Sequence, residues 1–182
     1  MPRINPLTIE NAPADTAATL SAIKGKIGMV PNIYATMAHA PAALNAALAL
    51  GEANGKSSLS AKLREQLALT IAGVNSCDYC ASAHTAIGKG AGLSEDELAS
   101  GLNGKAGDPK TQSFLTLAKT IVEKQGHLSD ADLSAARDAG ITDQEIIEVV
   151  AVVAQNIFTN YFNHIADPEV DFPVVRTGAT VS

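Results

Sequence analysis

Residues 65–84 read Glu65-Gln66-Leu67-Ala68-Leu69-Thr70-Ile71-Ala72-Gly73-Val74-Asn75-Ser76-Cys77-Asp78-Tyr79-Cys80-Ala81-Ser82-Ala83-His84. Upstream of Asn75 the pattern is helical. Ser60 is placed to cap a helix over 61–74, and Leu63, Leu67, Ile71 and Val74 form its apolar stripe. Asn75-Ser76 interrupts that pattern. Ser76 is expected to cap a second helix, running from Cys77 to about Lys89 and ended by Gly88, Gly90 and Gly92. In one straight helix Glu65 and Cys77 would lie about 18 Å apart, too far to cooperate. If the two helices fold back as an antiparallel hairpin, positions equidistant from the turn face each other. Positions 65 and 84 are equidistant from the break, so Glu65 is expected opposite His84.

Cys77 and Cys80 are the only cysteines in the chain, and both lie in one C-x-x-C. Such a pair serves chemistry or metal binding rather than stapling a fold. On a helix, Cys77, Cys80 and His84 follow i, i+3, i+7 and share one face. Two thiols, an imidazole and a carboxylate are the parts of a thiol-based redox site. The spacing suggests a relay in which Glu65 orients His84 and His84 takes the proton from Cys80. A free cysteine has a pKa of about 8.5, so the nucleophile needs activation near neutral pH. Two routes stand side by side: the helix N-terminus favours Cys77, and the His84 relay favours Cys80. Helical i, i+3 Cα atoms lie about 5 Å apart, within disulfide reach. Once one sulfur becomes a sulfenic acid, the other can condense with it.

Outward from this hairpin the chain reads as helices with short polar connections and no alternating strand. Helices are expected over Asp15 to Lys26, Pro31 to Ala40 and Ala43 to Leu50, the last with Pro41 at its first position and followed by a loop from Gly51 to Ser58. Ser94…Glu97 and Thr142…Glu145 are capping boxes, each preceded by Ala-Gly and an apolar residue. Asp108-Pro109 starts a helix closed by Gly126, and Ser129 starts a short one to about Asp138. The longest runs from Asp143 to about Ile165. It is apolar on more than one face, which calls for cover by a neighbouring subunit. An extended tail covers about 167–182. Nothing divides the chain, which reads as a single all-α domain, residues 1–182.

Composition bounds the function. With 182 residues and 46% apolar content the chain can build a core, and with 4% aromatics and no Trp that core is aliphatic, as close-packed helices require. A net charge of −6 without a Lys/Arg cluster argues against a nucleic-acid partner. The stretch Ile146 to Ala154 is too short to span a bilayer, and the N-terminus has no apolar signal region, so the expected location is cytoplasmic, with no membrane partner.

Several further segments stand with the motif: Met29-Val30-Pro31-Asn32, Asn75 to Cys80, Ala83-His84, Asn160-Tyr161-Phe162-Asn163-His164 and Glu169 to Pro173. Together with Glu65-x11-Cys77-x2-Cys80-x3-His84 they resemble alkylhydroperoxidase D (AhpD) proteins of the carboxymuconolactone decarboxylase superfamily, in the peroxidase-related branch. The resemblance touches nearly the whole chain. It implies an all-helical AhpD-like bundle, with the C-x-x-C at a helix N-terminus in a helical hairpin, assembled as a trimer or hexamer. It implies a thiol-dependent peroxidase acting on hydrogen peroxide or organic hydroperoxides, with no cofactor. Carried over, Cys80 is the attacking thiol, Cys77 its disulfide partner, and Glu65 and His84 the proton relay. A dithiol, or a lipoylated or thioredoxin-like redox protein, would be the reductant. The AhpD prototype has a His directly before the second cysteine, where this chain has Tyr79. The decarboxylase branch generally lacks the C-x-x-C, which counts against lactone decarboxylation.

Other readings of the same residues remain in view. Cys77, Cys80, His84 and Glu65 could be metal ligands, making the chain a non-catalytic metal-binding or redox-sensing oligomer. The pair could equally reduce disulfides of a partner protein. Asn156, Asn160 and His164 form a polar stripe at i, i+4, i+8, and Asn160, His164 and the Tyr79 hydroxyl are candidates to line the pocket. Interior hydrogen bonding explains the stripe as well.

Overall fold

The computed structural model describes residues 1–178 and is built from helices. They are α1 (Ala14–Ile27), α2 (Asn32–Met37), α3 (Pro41–Gly55), α4 (Ala61–Val74), α5 (Asp78–Gly90), α6 (Glu95–Leu102), α7 (Pro109–Glu123), α8 (Asp130–Asp138) and α9 (Asp143–Ala166). The all-α expectation therefore holds, and no strand occurs among the described residues. The last residues of the expected tail, 179–182, lie outside that range.

Helix α4 is the axis of the bundle. It packs against α5, α6, α7 and α9 at once, and every residue from Gln66 to Ala72 is buried. One core joins α4, α7 and α9 through Leu67, Ile71, Phe114, Leu115, Val149 and Val153. A second joins α1, α2 and α3 to the C-x-x-C through Leu20, Met37, Leu44, Cys77, Tyr79 and Cys80. The redox pair is thus part of the packed interior.

The capping boxes form as expected at Ser94/Glu97 and Thr142/Glu145. In both, the residue before the cap and the one four into the helix are apolar: Leu93 with Leu98, and Ile141 with Ile146. A third box, Ser129/Asp132, has Asp in the place usually taken by Glu or Gln. Two expectations need correction. Gly51 to Gly55 is not loop but the last turn of α3. Asn54 reaches across to the Ala151 carbonyl at 3.2 Å and to Gln155 Oε1 at 2.7 Å, and this contact with α9 outweighs the weak helix propensity of two glycines. Nor does Ser76 cap α5. Its backbone is left-handed (φ 55°), and the cap falls to Cys77, whose Sγ accepts from the Cys80 N–H at 3.3 Å.

The outer face of α9 carries Ile147, Val150, Ala154, Phe158, Tyr161 and Ile165 at helical spacing, all exposed. No helix among the described residues is long and apolar enough to cross a membrane.

Two glycines let α6 approach the hairpin. A Cβ at Gly73 would fall far inside contact distance of the Leu102 carbonyl oxygen, a backbone atom that cannot turn aside. A Cβ at Gly88 would crowd two methyl groups, Leu98 Cδ2 at 2.7 Å and Leu93 Cδ1 at 3.1 Å, and would touch Glu65 Cβ at an ordinary 3.6 Å. Gly73→Ala should therefore cost about 2–3 kcal/mol in urea unfolding, whereas Gly88→Ala should cost less than half as much, because leucine rotamers can yield. Equal losses at the two positions would show that backbone approach is not the limiting contact.

Candidate functional site

The hairpin brings Glu65 and His84 together as their symmetry about the break requires. Glu65 Oε2 and His84 Nδ1 are 2.8 Å apart, with the side chains only 16% and 21% exposed. Because Nδ1 faces the carboxylate, Nε2 is the ring nitrogen left to exchange protons. Along α5, His84 follows Cys80 by one helical turn. Glu65 and His84 lie in a cleft of about 190 Å³ whose other walls include Arg64, Asn54, Val152, Gln155 and Asn156.

Cys77 and Cys80 are joined as a disulfide, with Cα atoms 5.3 Å apart. Both are nearly inaccessible, at 2% and 3%. Cys77 is the N-cap and Cys80 lies in the first turn of α5, where unpaired backbone N–H groups favour negative charge. The site thus combines a dithiol–disulfide pair at a helix N-terminus with a carboxylate-backed imidazole one turn further on. Among the described residues no three His, Cys, Asp or Glu side chains are grouped as a metal-binding set.

The remaining candidates divide. Asn156 lines the cleft beside His84 and bonds back to the Val152 carbonyl at 2.9 Å. Asn160 and His164 instead hold the hairpin turn. Asn75 Nδ2 donates to Asn160 Oδ1 at 2.9 Å, and the His164 ring nitrogen Nε2 meets the Asn75 carbonyl at 2.8 Å.

Tyr79 is turned away from the cleft and buried. Its hydroxyl donates to Asp171 Oδ1 at 2.8 Å and accepts from the Ile33 N–H at 3.1 Å, while Asp171 Oδ2 accepts from the Asn32 N–H at 2.5 Å. Phe172 packs edge-on against the ring at 5.9 Å. Burial is the main cause that pushes the Tyr79 phenol far above its usual range, and the Asp171 carboxylate adds to it, so the group stays protonated as a donor. The segments around Asn32, Tyr79 and Asp171, far apart in the chain, therefore meet in one clamp. The tail continues past it. Arg176 pairs with Asp78 at 2.7 Å, and Thr177 N–H and Oγ1 donate to the same carboxylate. Partial burial works to raise the Asp78 pKa, but these bonds prevail and hold it below its ordinary value.

One contact escaped the spacing argument. Asn163, 5% exposed, directs Nδ2 at Cys80 Sγ at 3.2 Å and at Cys77 Sγ at 3.9 Å. The available signal was the repeat Asn156, Asn160, Asn163, which follows i, i+4, i+7 on one face.

Residues 40–107 match the carboxymuconolactone decarboxylase family, and that segment holds Glu65, Cys77, Cys80 and His84. No curated protein matches the sequence. Among solved structures, the chain is similar to a peroxidase-related protein of Ralstonia eutropha JMP134 described as an alkylhydroperoxidase AhpD core, with a TM-score of 0.85 and 23% identity over 93% of this chain and 92% of that one. A peroxidase-related protein from Silicibacter sp. TM1040 superposes with a TM-score of 0.76 at 22% identity, over 97% and 95% of the two chains. The debrominase Bmp8, as a cysteine-to-alanine variant in complex with 2,3,4-tribromopyrrole, gives 0.78 at 17% identity, over 93% and 91%. The family match is thus confined to the segment that holds the motif, while the chain as a whole shares its fold with these AhpD-like, peroxidase-related structures.

Proposed function

We propose that this protein is a thiol peroxidase that reduces hydrogen peroxide or an organic hydroperoxide through a Cys77–Cys80 disulfide cycle, without metal or organic cofactor. The observation that carries the reading is the Glu65–His84 pair at 2.8 Å, one helical turn beyond Cys80, whose partner Cys77 is already within bonding reach. In the reduced protein the Cys80 thiolate attacks one peroxide oxygen. An S–O bond forms, the O–O bond breaks, and the departing alkoxide or hydroxide takes a proton from His84. Cys80 is then a sulfenic acid. The Cys77 thiolate attacks its sulfur, the S–S bond forms, and the displaced hydroxide leaves as water with a second proton. A dithiol, or a lipoylated or thioredoxin-like redox protein, returns the electron pair. Tyr79, whose hydroxyl is engaged elsewhere, takes no part in this relay.

The direct test is a free-thiol count and intact mass before and after one equivalent of peroxide. Both thiols should disappear and the mass should fall by about two hydrogens, with recovery under a dithiol. Cys77→Ser should still react once and retain a sulfenic acid at Cys80, whereas Cys80→Ser should not react. If peroxide leaves both thiols of the reduced protein titratable, the peroxidase reading fails. The opposite pattern in the single variants exchanges the two cysteine roles.

The relay makes a separate prediction. If Glu65 acts through His84, then Glu65→Gln and His84→Ala should each slow thiol alkylation at pH 7 by about tenfold, the effect of about 1.4 kcal/mol. The double variant should be no slower than His84→Ala alone. A full additional loss in the double variant would mean that Glu65 reaches the thiols independently.

The outer stripe of α9 supports assembly into a homo-oligomer, a trimer or hexamer. An exposed apolar row along a helix is covered in a stable protein by another chain or another element. Light scattering at micromolar concentration should give a multiple of the 18.7 kDa chain mass, and Ile147→Glu combined with Ile165→Glu should reduce that mass. A monomer before substitution would remove the claim.

A further inference from the structure

Asn163 lies outside the segment that matches the family and outside the four-residue motif, yet it is the side chain that donates to the redox pair. Its contact with Cys80 Sγ at 3.2 Å is shorter than its 3.9 Å approach to Cys77 Sγ. Both ends of the shorter contact are buried, so water does not compete for it. The orientation of the amide is chemically determined. Disulfide sulfurs carry no proton and can only accept, so the NH₂ end must face them. That choice leaves Asn163 Oδ1 buried without a partner. An unpaired buried carbonyl is unfavourable, and a neutral sulfur is a weak acceptor that offsets little of it. The balance changes when the sulfur is charged, because hydrogen bonds to ionised acceptors are roughly twice as strong.

We infer that Asn163 is a positioning residue for the thiol cycle: its amide N–H stabilises Cys80, rather than Cys77, as the thiolate, and so makes the pair easier to reduce. The inference deepens the peroxidase reading and rests on it for the attacking role of Cys80. When a dithiol reduces the pair, the S–S bond breaks and the reductant becomes a disulfide. The protein is left with one thiol and one thiolate, and one proton is released. Asn163 acts on that thiolate. The other ionisable groups around the pair are Tyr34 on α2, whose phenol is pushed up by burial, and His84 and Asp78 on α5, Glu65 on α4, His164 on α9, Tyr79, and Asp171 and Arg176 of the tail, these last bonded as described above. Helices α1, α2 and α3 present apolar side chains, Leu20, Met37 and Leu44, to the same cluster.

The test uses the folded chain with Cys77→Ser, in which Cys80 is the only thiol. The pH dependence of its alkylation by iodoacetamide is compared in three forms: Asn163, Asn163→Ala and Asn163→Asp. Asn163→Ala should move the midpoint up by about one pH unit, a tenfold loss of thiolate at neutral pH. Asn163→Asp keeps the shape but places an acceptor and a charge beside the sulfur, and should move it further. In the two-cysteine chain, equilibration against dithiothreitol should favour the disulfide about tenfold more in Asn163→Ala, a fall of about 30 mV in potential. Should either variant misfold, the unsubstituted chain still decides. The ¹⁵N resonance of the Asn163 side-chain amide should titrate with the Cys80 thiol.

Unshifted midpoints and potential in folded variants, or an amide resonance that ignores the titration, overturn the inference. A midpoint shift at Cys77, in the converse Cys80→Ser chain, larger than that at Cys80 also overturns it. The two readings separate cleanly. A protein that shows the midpoint shifts but consumes no peroxide retains the tuning role and loses the peroxidase reading. A peroxidase with unshifted midpoints does the reverse.

Discussion

The left-handed residue Ser76 is the constraint on which the site depends. A non-glycine residue with positive φ is uncommon, and here it reverses the chain within two residues. Backbone bonds from Asn75 N–H to the Ile71 carbonyl and from Cys77 N–H to the Ala72 carbonyl, both 2.9 Å, close the turn. Helix α9 then holds it from outside, through Asn160 on the Asn75 side chain and His164 on the Asn75 carbonyl. With the turn fixed, two consequences follow from helical geometry: Glu65 lies opposite His84, and Cys77 falls at a helix N-cap. The packing of α9 adds a third, bringing Asn163 to Cys80.

How much of this could be read beforehand depends on whether the deciding contact is local. The hairpin symmetry of Glu65 and His84 was legible, because two helices joined by a short break leave few alternatives. So were Ser60, Ser94 and Thr142 as caps, since a cap is written within four residues. The box at Ser129 was less visible because Asp132 stands where Glu or Gln is usual. The end of α3 was not legible. Gly51 and Gly55 signal a loop, and only Asn54 reaching to α9 carries the helix through them. The same holds for Tyr79. Its neighbours in sequence point to the site, while Ile33 and Asp171, which bind its hydroxyl, come from the two ends of the chain. Asn163 belongs in this group, because its meaning lies in the sulfur it meets and not in its neighbours.

Helix α9 inverts the usual arrangement of an amphipathic helix. Its inner edge carries Asn156, Asn160 and Asn163, all buried, while its outer edge carries Ile147, Phe158 and Ile165, all exposed. The valines at 149, 152 and 153 anchor its N-terminal half in the aliphatic core. Toward its C-terminal half directional hydrogen bonds take over. The helix is thus packed by hydrophobic burial where precision matters little, and by amides where the turn and the sulfurs must be held in register.

The cap of α5 is itself a redox group, because Cys77 Sγ fills the acceptor position that a serine or aspartate oxygen would normally hold. In the disulfide that acceptor is neutral and weak. In the reduced protein a negative charge on either sulfur lies at the positive end of the helix, where it strengthens the first turn. Electron transfer and local helix stability are therefore linked through one atom. The first turn of α5 should open least in the reduced chain and most in the oxidised one, so that amide exchange at Cys80 records the oxidation state of the protein without any probe of sulfur.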